Sequence, residues 1–118
     1  MKDPIIQVFG IPQCDTVKKA RKWLDAHNVT YTFHDYKKAG IDKSTLSGWS
    51  RELGWEALLN RRGTTWRKLD DSVKDGVNEA KALDLMVEYT SMIKRPVIKF
   101  DDKLLLGFDE QQYVEAFR

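Results

Sequence analysis

Cys14 is the one cysteine of the chain, and it stands in Val8-Phe9-Gly10-Ile11-Pro12-Gln13-Cys14-Asp15-Thr16-Val17. A short apolar run ends there in a glycine and a proline, and an amphipathic pattern begins at about the cysteine. The thiol is thereby expected at a strand-to-helix junction, where the open N–H groups of a first helical turn stabilise a thiolate. Such a helix start contributes about 0.3–1 kcal/mol to a negative charge when exposed and up to ~2 kcal/mol when partly buried. Asp15 opposes this if its carboxylate turns inward, and basic side chains are then needed to keep a thiolate near neutrality. A lone cysteine is otherwise most often a small buried hydrophobe. Pro12, which fixes the chain ahead of the thiol, and Gly10, which relaxes the turn, argue for more than that. Redox-pair spacing would put a second cysteine at position 17, which is Val17. Chemistry here works with one local sulfur.

The cations that could serve this thiol are Arg61, Arg62 and Arg95, with Lys18 nearer in sequence. An arginine fork grips an oxyanion or a peptide carboxylate through several directed donors, although an arginine in a turn is more often simply solvated. Gly63-Thr64-Thr65 follows the first pair with small groups and hydroxyls that suit a pocket. The same residues equally make a turn with local hydrogen bonds ahead of an anchoring Trp66. Arg95 precedes Pro96; about 5–6% of such bonds are cis in folded proteins, so the dipeptide by itself favours trans. His27 and His34 fit a helix face and a strand face, and neither is assigned a catalytic role. Trp23, Trp49, Trp55 and Trp66 read as core or interface anchors, and none follows a glycine-rich nucleotide motif.

The elements that must hold these groups are legible from periodicity. Ile5 to Phe9 reads as a buried strand, and Asp15 to Asn28 as a helix with Val17, Ala20, Leu24 and His27 on one face. Val29 to Tyr36 alternates as a strand. Asp42 can cap a helix carrying Leu46, Trp49 and Leu53 to a stop near Gly54, followed by a short helix through Trp55–Leu59. Asn60–Thr65 has turn composition, and a further helix runs from about Gly76 to Tyr89. Val97–Phe100 and Lys103–Leu106 form a hairpin about Asp101-Asp102. Asp109 with Gln112 fits a capping box for a last helix, with Phe108 and Tyr113 as its hydrophobic staple. No repeat or linker interrupts this order. The expectation is one α/β domain over 1–118 with a small mixed sheet.

Composition narrows the function classes. The 118 residues are 42% apolar with a formal charge of +2 from 20 basic and 18 acidic side chains, a balance that gives no reason to expect direct nucleic-acid or membrane binding. One cysteine excludes an intrachain disulfide, and Cys14, His27 and His34 lack the spacing of a metal cluster. The start, Met1-Lys2-Asp3-Pro4, leads into too few apolar residues for a signal peptide or span. A cytoplasmic location is the default.

Three blocks carry a family resemblance: Gly10-Ile11-Pro12-Gln13-Cys14-Asp15-Thr16-Val17-Lys18-Lys19-Ala20, the stretch from Glu52 to Arg67, and Ile93-Lys94-Arg95-Pro96 with Leu105-Leu106-Gly107-Phe108. Across Ile5 to Phe117 the chain resembles the arsenate reductase-like (ArsC/Spx) family, and within it the YffB-type branch, with Spx-type regulators as more distant relatives. The resemblance implies a thioredoxin-like sheet with a helical insertion at about 41–92. It implies a cis Pro96 facing the cysteine loop, Cys14 as the nucleophile, and Arg95 as the arginine that helps hold an oxyanion. Arg61 or Arg62 falls in the region of another active-site arginine. Two departures bear on mechanism. Arsenate reductases linked to glutathione and glutaredoxin carry a further arginine near Leu106-Gly107-Phe108, and Spx-type regulators commonly use the cysteine pair that Val17 removes.

What the resemblance implies for function is a glutathione-dependent thiol oxidoreductase with no bound cofactor and glutathione, or another small thiol or disulfide, as co-substrate. Cys14 would attack an oxidised sulfur, Arg95 with Arg61 or Arg62 would lower the thiol and bind a carboxylate, and an external thiol would resolve the mixed disulfide. The rival readings are an arsenate reductase using glutathione and glutaredoxin, and a non-enzymatic, Spx-like protein that binds a protein partner through its basic residues.

Overall fold

The structure, a computed structural model, describes residues 6–101 and 103–117. Met1-Lys2-Asp3-Pro4, Ile5 of the expected first strand and Asp102 of the expected turn lie outside the described residues. In chain order come β1 (Ile6–Gly10), α1 (Asp15–Ala26), β2 (Thr32–Asp35), α2 (Tyr36–Ala39), α3 (Lys43–Leu53), α4 (Trp55–Leu58), α5 (Thr64–Arg67), α6 (Asp71–Asp75) and α7 (Glu79–Glu88). A 3₁₀ turn (Thr90–Met92), β3 (Val97–Phe100), β4 (Lys103–Leu106) and α8 (Glu110–Ala116) complete the order. The chain forms two compact units: one runs to Tyr36 and resumes at Arg95, and the other is Lys37–Lys94.

The first unit is built on a mixed sheet which, among the described residues, has four strands in the order β2-β1-β3-β4. β1 is parallel to β2 and antiparallel to β3, and β3 is antiparallel to β4. This is the thioredoxin-like arrangement, with the helical stretch inserted in sequence between β2 and β3. Because strand side chains alternate, the register Phe33–Val8–Ile98–Leu105 sets one apolar row across the sheet. That row packs with Ala20, Trp23 and Leu24 of α1 and Tyr113 of α8; Val8, Leu24, Ile98 and Tyr113 have no exposed surface. The Trp23 and Tyr113 rings meet edge to face at 5.4 Å, and Tyr113 donates its hydroxyl proton to the Gly107 carbonyl at 2.7 Å.

The expected caps of α8 form. Asp109 Oδ1 accepts the Gln112 N–H at 3.2 Å, and Phe108 meets Tyr113 edge-on at 5.0 Å. Replacing Asp109 by alanine should therefore cost about 1 kcal/mol of stability in denaturant titration. Asp101 takes φ 52° at the β3–β4 connection, a left-handed conformation that aspartate tolerates better than most residues.

Several boundaries differ from the periodicity reading, and three of them have a local reason. α1 stops at Ala26 because Asn28 turns left-handed at φ 59° and the Val29 N–H returns to the Leu24 carbonyl. The second strand is cut to Thr32–Asp35, since Tyr36 is already the first residue of α2 and is buried to 1% exposure. The helix expected from Gly76 begins at Glu79, because Asn78 caps it by accepting the Lys81 N–H at 3.0 Å.

The second unit buries Leu46 and Trp49 of α3, Leu58 of α4 and its neighbour Leu59, Ala82, Leu83 and Met86 of α7, and Met92 with Ile93. Ser50, buried in α3, donates to Glu79 Oε2 at 2.8 Å. Leu59 and Ile93 form an antiparallel bridge, flanked by Asn60 N–H to Met92 O and Lys94 N–H to Leu58 O, both 2.7 Å. No helix among the described residues is long and apolar enough to cross a membrane.

Candidate active site

β1 delivers the thiol. After Gly10 the chain makes a tight turn in which the Cys14 N–H returns to the Ile11 carbonyl at 3.1 Å, across Pro12 and Gln13. Cys14 then occupies the N-cap position of α1 with extended backbone, and its carbonyl accepts the Lys18 N–H at 2.9 Å. Its side chain makes no capping hydrogen bond of good geometry. The first-turn N–H groups act on the half-buried sulfur as the open dipoles of a helix start. Asp15 and Lys18 are both exposed.

Gly10 is needed for this approach. A Cβ there would lie 2.8 Å from Val17 Cγ2 and 3.8 Å from Arg95 Cβ. The missing side chain lets α1 and the stem of Arg95 close on the end of β1. Arg95 itself is half-buried immediately before β3, and its peptide bond to the buried Pro96 is cis. The Pro96 carbonyl accepts the Gly107 N–H at 2.8 Å, which ties the end of β4 to the start of β3. No cation stands in Leu106-Gly107-Phe108.

The electrostatics of Cys14 are a contest. Burial pushes the thiol up; the Val17 N–H, a hydrogen bond from the Arg95 side chain, the Thr16 N–H and the Arg95 charge pull it down. The lowering influences win, and Cys14 titrates below its ordinary value. Thus the structure brings Cys14 and Arg95 together within the first unit.

Arg61 and Arg62 belong to the second unit, where both are exposed. The Arg61 guanidinium stands 5.8 Å from the Trp55 ring centre and 5.7 Å from that of Trp66. Asn60 Oδ1 accepts the Arg62 N–H at 3.1 Å. Glu56, Leu59, Asn60, Arg61, Arg62 and Lys94 line a cavity of about 380 Å³, polar and positive, of a character that suits a carboxylate. Gly63 precedes α5 as its N-cap, and Thr65 Oγ1 pairs with Ser91 Oγ, a residue far along the chain in the same unit, at 2.8 Å. His27 is an exposed residue stacked on Trp23 at 3.8 Å, and His34 lies beside Phe9 at 5.0 Å. Among the described residues no cluster of three or more His, Cys, Asp or Glu side chains could hold a metal ion.

Periodicity passed over one residue at the sulfur's end of the sheet. Tyr36 follows Asp35, which pairs with Gly10; its ring stacks on Phe9 at 6.4 Å and its buried hydroxyl has no hydrogen-bond partner among the described residues. Burial holds the phenol protonated far above its usual range, against the opposing charge of Arg95. The signal available in the sequence was a tyrosine at the end of an alternating strand, which is indistinguishable from a strand-face aromatic.

The sequence pattern of the ArsC family matches residues 9–116, from the end of β1 through α8. The chain belongs to the ArsC family. Within the ArsC family it is similar to the YffB protein of solved structure, at 50% identity over 96% of this chain and 99% of that one, with a TM-score of 0.93. It is 46% identical over 113 residues to an uncharacterised Haemophilus influenzae protein, covering 96% of this chain and 99% of the relative. The ArsC-family kinship extends at 27% identity to the global transcriptional regulator Spx of Streptococcus mutans, over 96% of this chain and 82% of the regulator. The resemblance to the YffB-type branch, with Spx as a more remote relative, is thus borne out.

Proposed function

We propose that this ArsC-family protein is a glutathione-dependent thiol oxidoreductase working through Cys14. The observation that carries the reading is a half-buried thiol at a helix start in the same unit as Arg95, held below its ordinary value by the first-turn N–H groups and the Arg95 side chain. The Cys14 thiolate attacks the glutathionyl sulfur of a mixed disulfide; the old S–S bond breaks and the released thiolate takes a proton from solvent. Val17 offers no second sulfur, so a glutathione thiolate attacks the Cys14 adduct, forming oxidised glutathione and restoring the Cys14 thiolate. The net reaction consumes one mixed disulfide and one reduced glutathione and yields the free thiol and oxidised glutathione. Arg61 and Arg62, beside Lys94 in their own cavity, are the proposed donors to a ligand carboxylate. Pro12 and Pro96 hold the loops on either side of the reaction.

The test is turnover of a small glutathione mixed disulfide with reduced glutathione in excess, comparing the natural chain with Cys14→Ser. Turnover that survives the substitution would remove Cys14 from the reaction. The same assay with arsenate in place of the disulfide tests the rival reductase reading, for which the site offers no arginine at Leu106-Gly107-Phe108. A second, regulatory reading is favoured by the kinship to Spx; it expects a protein partner for the exposed Arg61 and Arg62 and no turnover in either assay.

A further inference from the structure

The cavity of the second unit is lined by charges of both signs that do not pair with one another. Glu56, Arg61, Arg62 and Lys94 are all exposed on its walls, and among the described residues none of the four is in an ion pair. Exposed charges are ordinarily just solvated; these stand on a fixed frame. Leu59, 2% exposed, bridges Ile93, and the flanking bonds from Asn60 N–H to Met92 O and from Lys94 N–H to Leu58 O hold both sides of that bridge. Asn60 Oδ1 takes the Arg62 N–H, and Gly63 leaves room for this amide, since a Cβ there would lie 3.1 Å from Asn60 Nδ2. The short α4 supplies Glu56 and, in Trp55, one of the two rings against which the Arg61 guanidinium stands; Trp66 gives the other. Cation–π attraction to both rings limits where that guanidinium can go.

We propose that Glu56 selects the γ-glutamyl end of glutathione by accepting its α-ammonium group, while Arg61 and Arg62 take the carboxylate on the same carbon. The inference rests on the glutathione reading and names the end of the tripeptide that this cavity holds. Arginine forks match a carboxylate, and Lys94 adds positive charge that favours the same group. A cavity for a carboxylate alone, however, gains nothing from an acidic side chain on its wall, which repels the ligand. A ligand that carries both signs on one carbon uses all of these groups. Of the two charged ends of glutathione, the γ-glutamyl end is of that kind; the glycine end is a carboxylate alone. The volume of about 380 Å³ falls within the range of small-ligand sites, ~300–1,000 Å³.

The test is calorimetric titration with S-methylglutathione, whose thioether cannot exchange with Cys14, and with its N-acetyl derivative, in which the ammonium has become a neutral amide. The natural chain should bind the free-amine compound about tenfold more tightly, the size of one charge-assisted hydrogen bond in a site open to solvent. Glu56→Gln keeps the shape of the side chain at an exposed position and should retain the natural Tm, yet bind the two compounds alike. Arg61→Ala should weaken both, because both keep the carboxylate. Equal binding of the two compounds by the natural chain, binding of neither, or a preference that survives in Glu56→Gln overturns the inference; the last would mark the acetyl group as a steric obstacle. The proposed function fails separately. Turnover of the mixed disulfide alongside equal binding leaves the function standing without this role for Glu56, whereas an amine preference without turnover leaves the γ-glutamyl site standing without the exchange at Cys14.

Discussion

Replacing Arg95 by alanine should move the pH midpoint of Cys14 alkylation upward, toward that of an unperturbed cysteine. The sign follows from the balance at the sulfur. Burial raises the thiol, and of the influences that lower it Arg95 supplies both a hydrogen bond and a charge, while the Val17 and Thr16 N–H groups supply the rest. Removing the guanidinium leaves burial opposed by the helix start alone. Hydrogen bonds to charged groups contribute ~1.5–3 kcal/mol, so the thiolate fraction at neutral pH should fall on the order of tenfold. Arg95→Lys should land between, because it restores the charge without the fork. The measurement is the rate of iodoacetamide incorporation across pH; an unchanged midpoint in Arg95→Ala would remove Arg95 from the site.

Gly10→Ala should destabilise the fold and disturb the thiol together. The added Cβ would stand 2.8 Å from Val17 Cγ2, closer than carbon atoms tolerate. Val17 has no exposed surface, and a valine on a helix has one strongly preferred rotamer, so the clash cannot be relieved by turning the side chain. α1 or the end of β1 must shift instead. Overpacking of this kind costs about 1–3 kcal/mol, read as a lower denaturation midpoint. The Val17 N–H is also the largest of the influences that lower Cys14, so the same shift should raise the alkylation midpoint. A variant with natural stability and a natural thiol would show that the close approach at Gly10 is dispensable.

Much of the fold was legible because single side chains declare it. The cap at Asp109, the staple of Phe108 on Tyr113 and the hairpin of β3 with β4 are short-range devices whose residue types carry their own geometry. The placement of Cys14 at a helix start was equally local. What escaped was decided elsewhere. α6 stands where the sequence has a short stretch of mixed charge around a single valine, Asp71–Asp75, with no buried side chain to mark a face. Tyr36 left its alternating strand for a helix because its ring is buried against Phe9 and His34, a tertiary preference that period-two patterning does not carry. In the site, the cysteine and the arginine–proline pair were identifiable as residue types. That Arg95 donates to Cys14 depends on the antiparallel pairing of β1 with β3, which brings residues far apart in sequence to one end of the sheet.

Reversible exchange of Cys14 with glutathione is the step on which the proposed function stands. Its most direct test is the intact mass of the reduced protein after incubation with oxidised glutathione at neutral pH, with peptide mapping, followed by excess reduced glutathione. One glutathionyl group per chain is expected, on Cys14, released by the second incubation. A chain that stays unmodified under those conditions, with Cys14 open to iodoacetamide, would contradict it.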